Sequence, residues 1–236
     1  MGTYGIPRIL LGTSPFIGAG QFGRKAPSYY AKFYLNPGNI LGIIRRAYGL
    51  GIDGIQLLPY GPVVKAVERA LEEGMELRIV GSVRLREAEG DISLLERLGA
   101  VAMIAHAEIA DLRDRETLEG ILNAIHETGR PAGLASHKPF RTLSWLEGLG
   151  LKHEILMVPV NAAGAFMDCR PEGLAALLKR LGKFVIAKKA LAAGSLPPAE
   201  ALTYVASLDC VNSVALGVAS EKEVDETMAL AKRLLA

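Results

Sequence analysis

The sequence predicts a (β/α)8 barrel (a TIM barrel) that forms a single compact domain over residues 1–236. Two observations support this fold class. Short apolar runs rich in Val, Ile and Leu alternate with amphipathic stretches eight times along the chain. Dividing 236 residues by eight gives about 29.5 residues per unit, as expected of a compact barrel. A doubly wound open sheet is the alternative, but it usually has fewer strands, and no GxGxxG pattern follows the first run.

The eight apolar runs are the predicted strands. They are almost continuously apolar, which is typical of parallel strands buried on both faces. In chain order they are Ile9–Leu11, Gly54–Leu58, Leu77–Val80, Ala100–Ala105, Ala132–Ala135, Ile155–Val160, Phe184–Ala187 and Ser213–Gly217. Because right-handed crossovers join parallel strands, all eight carboxyl ends lie on one face, where barrel enzymes have their active sites.

Helix start and stop signals lie between the runs. Pro62 and Pro171 each open a helix, Asp91 is predicted to cap another, and glycine follows the end of most helices, as at Gly129. The last helix begins with the capping-box pattern Ser220-Glu221-Lys222-Glu223.

One segment interrupts this regular alternation. Residues 17–38 form an unusually long connection after the first strand. With Phe16 at its edge, this stretch holds six of the fourteen aromatic residues, namely Phe16, Phe22, Tyr29, Tyr30, Phe33 and Tyr34. Since the connection lies on the predicted active-site face, we expect either a lid or pocket wall, or an ordered Ω-loop over the barrel mouth.

Composition and charge exclude several classes of protein. A formal net charge of +2 argues against a nucleic-acid-binding protein, and no apolar run is long enough to span a membrane. Cys169 and Cys210 cannot form a disulfide framework, and no signal peptide is evident, so we expect a cytoplasmic protein. Gln21 and Gln56 are the only glutamines, which suggests a thermophilic source. Nothing in the sequence specifies an oligomeric state.

Polar residues follow the predicted strands and stand out against an apolar barrel interior. They are Gln56 and Tyr60, Ser82 and Arg84, His106 and Glu108, Ser136 to Lys138, Asn161, and Lys188 with Lys189. His106 is either a hydrogen-bonded structural residue or a proton donor to a carbonyl. Tyr60 is either a packing residue or an acid activated by a neighbouring cation.

Lys188 and Lys189 directly follow a buried strand. Strand alternation predicts that one of them points into the barrel and the other outward. An inward lysine could form a Schiff base or bind an anion, or it could simply pair with Glu108 or another acid. Near the chain's end, Ser220 and Lys222 could bind a phosphate at a helix start, or Ser220 could act only as a cap.

A metal site is not expected. The histidines form no HxH or HExxH pattern. His106, His137 and Glu108 are the one set that could form a 2-His-1-carboxylate site.

Five segments resemble the aldo-keto reductase family in order and spacing. They are Gly51–Leu71, Met103–His106, Glu116–Ser136, Ile186–Leu196 and Leu216–Glu226. The resemblance implies a small carbonyl substrate and NADP or NAD as cofactor. Of the family's catalytic Asp, Tyr, Lys and His, it places the Tyr at Tyr60 and the His at His106. It places Ser136, His137, Ser220 and Glu226 in cofactor-binding segments.

The chain departs from the family at several of these positions. The Asp position falls on Ile55 or Gln56, and the Lys position falls near Ser82 and Val83. Arg84 or Lys188 would then have to supply the missing positive charge beside Tyr60. The family's Ser-Asn pair becomes Ser136-His137, its Gln aligns with Pro159, the aromatic that stacks on nicotinamide aligns with Lys188, and its Glu-Asn pair becomes Glu226-Thr227.

Three functions follow from these residues. The first is an oxidoreductase of the aldo-keto reductase type with a rebuilt site. The second is a non-redox lyase, aldolase or isomerase that uses Lys188 or Lys189. The third is a non-catalytic barrel that binds a ligand or partner through residues 17–38.

Overall fold

The computed structural model describes residues 3–235 and contains the predicted barrel. Its strands are β1 (Ile9–Gly12), β2 (Gly54–Leu57), β3 (Arg78–Val83), β4 (Ala102–Ala105), β5 (Ala132–Ala135), β6 (Ile155–Pro159), β7 (Phe184–Lys188) and β8 (Ser213–Gly217). All neighbours are parallel, and β1 pairs with both β2 and β8, which closes the sheet. Every predicted strand is confirmed, with ends shifted by at most three residues.

Helices surround the barrel. They are α1 (Ala26–Tyr29), α2 (Pro37–Gly49), α3 (Gly61–Glu72), α4 (Ala88–Arg97), α5 (Ala107–Ala110), α6 (Arg115–Glu127), α7 (Pro139–Leu146), α8 (Pro171–Leu181), α9 (Pro198–Ala206), α10 (Glu221–Glu223) and α11 (Ala229–Leu235). A π-helical turn, Val224–Met228, joins the last two. None of the helices described in residues 3–235 is long and apolar enough to cross a membrane.

The predicted caps are only partly right. The capping box is confirmed, because Ser220 Oγ accepts from the Glu223 N–H at 3.1 Å and Glu223 Oε2 accepts from the Ala219 N–H at 2.7 Å. The prediction that Asp91 caps a helix is wrong. Asp91 lies inside α4, where its buried carboxylate pairs with the Arg84 guanidinium. Asp is a common capping residue, but Asp91 instead neutralises the charge of Arg84.

Strand alternation organises the barrel interior. Leu10, Val80, Ile104, Ile186 and Ala215 belong to a buried cluster inside the barrel. A larger buried cluster lies between the sheet and the helices. Because side chains two residues apart share a face of a strand, the residue two positions beyond each interior residue also points inward, at the carboxyl end.

The aromatic segment 17–38 is a series of short helical turns. It contains the 3₁₀ turn Gly20–Lys25, α1, and the π-helical turn Tyr30–Tyr34. Phe33 is fully buried, and its ring lies 5.0 Å from that of Phe16. This packing holds the segment against the carboxyl end of the barrel.

We predict that Gly81→Ala destabilises the barrel. A Cβ at this β3 position would lie 2.1 Å from Cδ2 of the buried Leu95, so the α4–β3 contact must shift. The expected loss is about 1–3 kcal/mol in the free energy of unfolding, measured by urea denaturation. Gly120→Ala is the matched control, because that exposed site in α6 has no atom within 4 Å of the added Cβ. It should gain about 0.5–1 kcal/mol. Equal effects of the two changes would contradict this packing.

Candidate functional site

A pocket of about 330 Å³ opens at the carboxyl end of the barrel. Its polar lining comes from several strand ends and from the connections that follow them. The polar residues at its inner end are Gln56, Ser82, His106, His137, Lys188 and Lys189. Residues Gln21, Phe22, Lys25 and Tyr29 of segment 17–38 form one wall, and Glu223, Glu226 and Thr227 form the opposite end.

Strand alternation determines which side chains form the pocket floor. Ser82, His106 and Lys188 each lie two residues beyond an interior residue of β3, β4 or β7. They therefore form the next inward layer, one that faces the pocket instead of the packed core.

A neutral hydrogen bond occupies part of this floor. Gln56 Nε2 donates to Ser82 Oγ at 3.1 Å, and both side chains are buried. Thr13 fixes the backbone here, since its Oγ1 donates to the Gln56 carbonyl and accepts from the Leu58 N–H, each at 3.0 Å. The family resemblance places its carboxylate at Ile55 or Gln56 and its ammonium near Ser82 and Val83. The chain has an uncharged pair there instead.

The two lysines do not alternate as predicted. Lys188 Nζ lies 3.5 Å from His137 Nδ1, and Lys189 Nζ lies 3.4 Å from the same atom. The reason is the backbone at Lys189, where φ is 56°. This left-handed conformation ends the strand geometry and turns the second side chain to the same side as the first.

The alternative pairing of Lys188 with Glu108 is also wrong. Glu108 Oε1 accepts from the Leu85 N–H at 3.0 Å and lies 3.5 Å from His106 Nδ1. Across residues 3–235, neither lysine has a carboxylate within 4.0 Å. Two neighbouring amines thus lie in the pocket without an ion-pair partner among the described residues.

Burial and mutual repulsion shift the pKa values of this cluster. Burial, followed by the charge of Lys189, lowers the pKa of Lys188 to about 7. Burial, followed by the two lysines, lowers the pKa of His137 to about 3. Burial also lowers the pKa of Lys189. At neutral pH His137 is therefore a neutral acceptor, and Lys188 exchanges a proton readily.

Asp111, which the sequence did not single out, holds this cluster in place. Its carboxylate accepts from Ser136 Oγ, from the His137 N–H at 2.8 Å and from Thr142 Oγ1 at 2.8 Å. Asp111 follows α5 and is distant in sequence from Ser136 and His137. The fold brings it close to the carboxyl end of β5. Ser136, a predicted cofactor ligand, is fully buried in this network and does not line the pocket.

His106 lies on the floor, as its strand-end position predicts. Its Nδ1 accepts weakly from the Glu108 N–H at 3.4 Å. Burial is the main cause of a lowered pKa at His106, so the neutral form is favoured at pH 7. In its Nε2–H tautomer, neutral His106 can donate a hydrogen bond into the pocket.

Tyr60 and Arg84 lie together but outside the pocket lining. The Arg84 guanidinium lies 5.1 Å from the centroid of the Tyr60 ring, over its face. The guanidinium also makes two hydrogen bonds to Asp91, at 2.6 and 2.9 Å. The structure thus does not bring this predicted acid and its predicted activator to the pocket floor.

The predicted phosphate site at the last helix start is only partly oriented toward the pocket. Ser220 Oγ is used as the cap, and Lys222 is exposed and 3.7 Å from Glu226. Glu226 lines the pocket, as do Thr227 and Lys25. No group of three His, Cys, Asp or Glu side chains able to hold a metal occurs in the described part of the chain.

Comparisons with known proteins connect this geometry to one fold. No protein-family model and no curated protein sequence matches the chain. Among solved structures, a candidate aldo-keto reductase from Pseudomonas aeruginosa matches over 100% of this chain and 94% of its own, with a TM-score of 0.71 and 19% identity. This chain has the aldo-keto reductase fold.

Two further solved structures share the aldo-keto reductase fold with this chain. An aldo-keto reductase from Klebsiella pneumoniae, solved with NADPH, has a TM-score of 0.64 and 16% identity, and the match covers 96% of this chain and 86% of that one. An aldo-keto reductase from Bombyx mori, solved with NADP, has a TM-score of 0.62 and 14% identity, with coverages of 95% and 84%.

We predict that Lys188 makes the stability of the protein depend on pH. Between about pH 7 and its ordinary pKa of 10.5, the unfolded chain holds a proton at Lys188 that the folded protein has released. The free energy of unfolding therefore rises with pH across this window. Urea denaturation of Lys188→Met should show a smaller rise. Lys65→Met, at an exposed site on α3, is the control and should keep the wild-type slope. A wild-type slope in Lys188→Met would rule out this ionisation.

Proposed function

We propose that this chain is an oxidoreductase of the aldo-keto reductase type that reduces a small carbonyl with NADPH or NADH. The observation that carries the proposal is the continuity of one pocket. It extends from a lysine with a pKa near 7, at the barrel floor, to the β8–α10 connection. The proposed proton donor and the proposed nucleotide groove would then share one cavity.

The residues of the groove suit a nicotinamide nucleotide. Lys25 offers a cation for a phosphate, and Glu226 offers a carboxylate that can accept from an adenine amino group. His137 and Lys188 lie where the nicotinamide end would sit according to the family resemblance. With a pKa of about 7, Lys188 is only half protonated at neutral pH, which limits its repulsion of an oxidised nicotinamide ring.

When bound, the nucleotide supplies a hydride to the carbonyl carbon. Lys188 Nζ donates its proton to the carbonyl oxygen, which yields the alcohol and leaves a neutral amine that is reprotonated from solvent. His106 Nε2–H donates a hydrogen bond that orients the carbonyl. Asp111 is a positioning residue, because it fixes His137, whose Nδ1 accepts from the lysines. Lys188 thus replaces Tyr60 as the acid.

We predict that Lys188→Met abolishes carbonyl reduction but preserves NADPH binding. NADPH fluorescence should change on mixing with either the wild type or Lys188→Met. NADPH consumption with propanal or methylglyoxal should fall at least 100-fold in the variant, as expected for loss of a general acid. In the wild type the rate should fall as pH rises above about 7, since the protonated amine is the acid.

Tyr60→Phe is the matched comparison. Because Tyr60 lies outside the pocket lining, the rate of carbonyl reduction by Tyr60→Phe should stay within about twofold of the wild-type rate. A large loss in Tyr60→Phe together with an active Lys188→Met would overturn the assignment of the acid. Absence of any NADPH binding at millimolar concentration would overturn the proposed function.

Amine catalysis without redox chemistry is the second candidate, because an unpaired second ammonium beside Lys188 favours a neutral, nucleophilic amine. The amine would attack a carbonyl carbon, and water would leave as the imine forms. Borohydride should then trap a covalent adduct with a carbonyl substrate in the wild type but not in Lys188→Met, as read by mass spectrometry. No adduct across a panel of aldehydes, ketones and oxo acids would count against this function.

A further inference from the structure

We infer that Lys189, together with Lys188, forms a carboxylate-binding subsite, so that the pocket takes a small oxo acid in preference to an uncharged carbonyl compound. That the bound acid is a substrate rests on the proposed function. The anion subsite itself rests only on the geometry of the two lysines.

The backbone is built to aim Lys189 into the pocket. Lysine rarely adopts the left-handed conformation seen at Lys189, which glycine or asparagine would adopt at less cost. Two hydrogen bonds to the Lys189 carbonyl maintain it, one from the Ala192 N–H at 2.8 Å and one from Asn161 Nδ2 at 3.3 Å. A strained conformation at a pocket residue points to a role for its side chain.

The charge of this pair is not balanced within the described residues. The charge of Asp111 acts on both lysines and opposes the lowering of their pKa values. Its oxygens already accept from Ser136, the His137 N–H and Thr142. Lys189 Nζ also lies 4.5 Å from the centroid of the Phe166 ring, which offers a weak cation–π contact. An anion from outside would complete the site.

The arrangement suits a small carboxylate next to a carbonyl. Both Nζ atoms approach the same His137 nitrogen, so one small molecule can contact both amines. Lys188 lies two residues beyond the packed interior, at the deepest layer of the pocket. The neutral polar groups of Gln56, Ser82 and His106 line the same floor and suit the uncharged end of the molecule. A 2-oxo acid combines these features.

The test compares pyruvate with methyl pyruvate, its uncharged ester, in the wild type, Lys189→Gln and Lys65→Gln. Isothermal titration without nucleotide should show that pyruvate binds 10- to 100-fold more weakly to Lys189→Gln than to the wild type, as expected for loss of a charge-assisted hydrogen bond. Binding to Lys65→Gln should be unchanged, because Lys65 is exposed on α3. Methyl pyruvate should not distinguish the three proteins. Lys189→Arg keeps the charge and should restore most of the binding.

Turnover adds an independent readout. With NADPH, Lys189→Gln should raise KM for pyruvate at least tenfold more than KM for methyl pyruvate, and Lys65→Gln should leave both KM values unchanged. Because the charge of Lys189 contributes to the lowered pKa of Lys188, turnover by Lys189→Gln should persist to higher pH than turnover by the wild type. Equal pyruvate affinity in the wild type and Lys189→Gln, or tighter binding of inorganic phosphate than of pyruvate, would overturn the subsite.

The outcomes also separate the two proposals. Reduction of uncharged carbonyls with no pyruvate binding would leave the proposed function in place and remove the subsite. Pyruvate binding that depends on Lys189, together with no NADPH binding, would support the subsite and overturn the proposed function. Circular dichroism shows whether Lys189→Gln is folded. If Lys189→Gln does not fold, Lys189→Arg is compared with the wild type instead.

Discussion

The chemistry of this barrel depends on one geometric constraint, the two-residue alternation of strands in a closed sheet. Each strand can send only every second side chain inward, so the packed interior fixes which residue comes next. Ile104 leads to His106 and Ile186 leads to Lys188. A slip of one residue in either strand would turn these polar side chains toward the helices, where an apolar cluster leaves no room for them.

A second level of organisation comes from electrostatics in a confined space. Two amines and an imidazole lie in one site, where burial raises the free energy of any charged group. Asp111 lies behind this cluster, and its carboxylate accepts several hydrogen bonds. It orients His137 but forms no direct ion pair with the lysines. The amines consequently remain available to a ligand, and their protonation responds to what binds.

The barrel could be predicted from sequence because its signals are local. Apolar runs mark strands, and proline and glycine mark helix ends. The presence of His106 and Lys188 in the site follows from the same pattern. The direction of Lys189 could not be predicted, because a positive φ at a non-glycine residue has no sequence signature. Asp91 carries a capping signal in the sequence but pairs with Arg84, which lies seven residues earlier across a turn, so helix-start signals could not predict its role. The role of Asp111 could not be predicted because its partners lie 25 or more residues away in the sequence.

The Gln56–Ser82 hydrogen bond limits which substitutions the pocket floor can accept. Both side chains are buried, at 5% and 0% exposure. Replacing Gln56 alone by Asp, or Ser82 alone by Lys, would introduce a single unpaired charge into this floor, which is strongly destabilising. Only the double replacement gives a compensated ion pair. The two positions can therefore change charge only together.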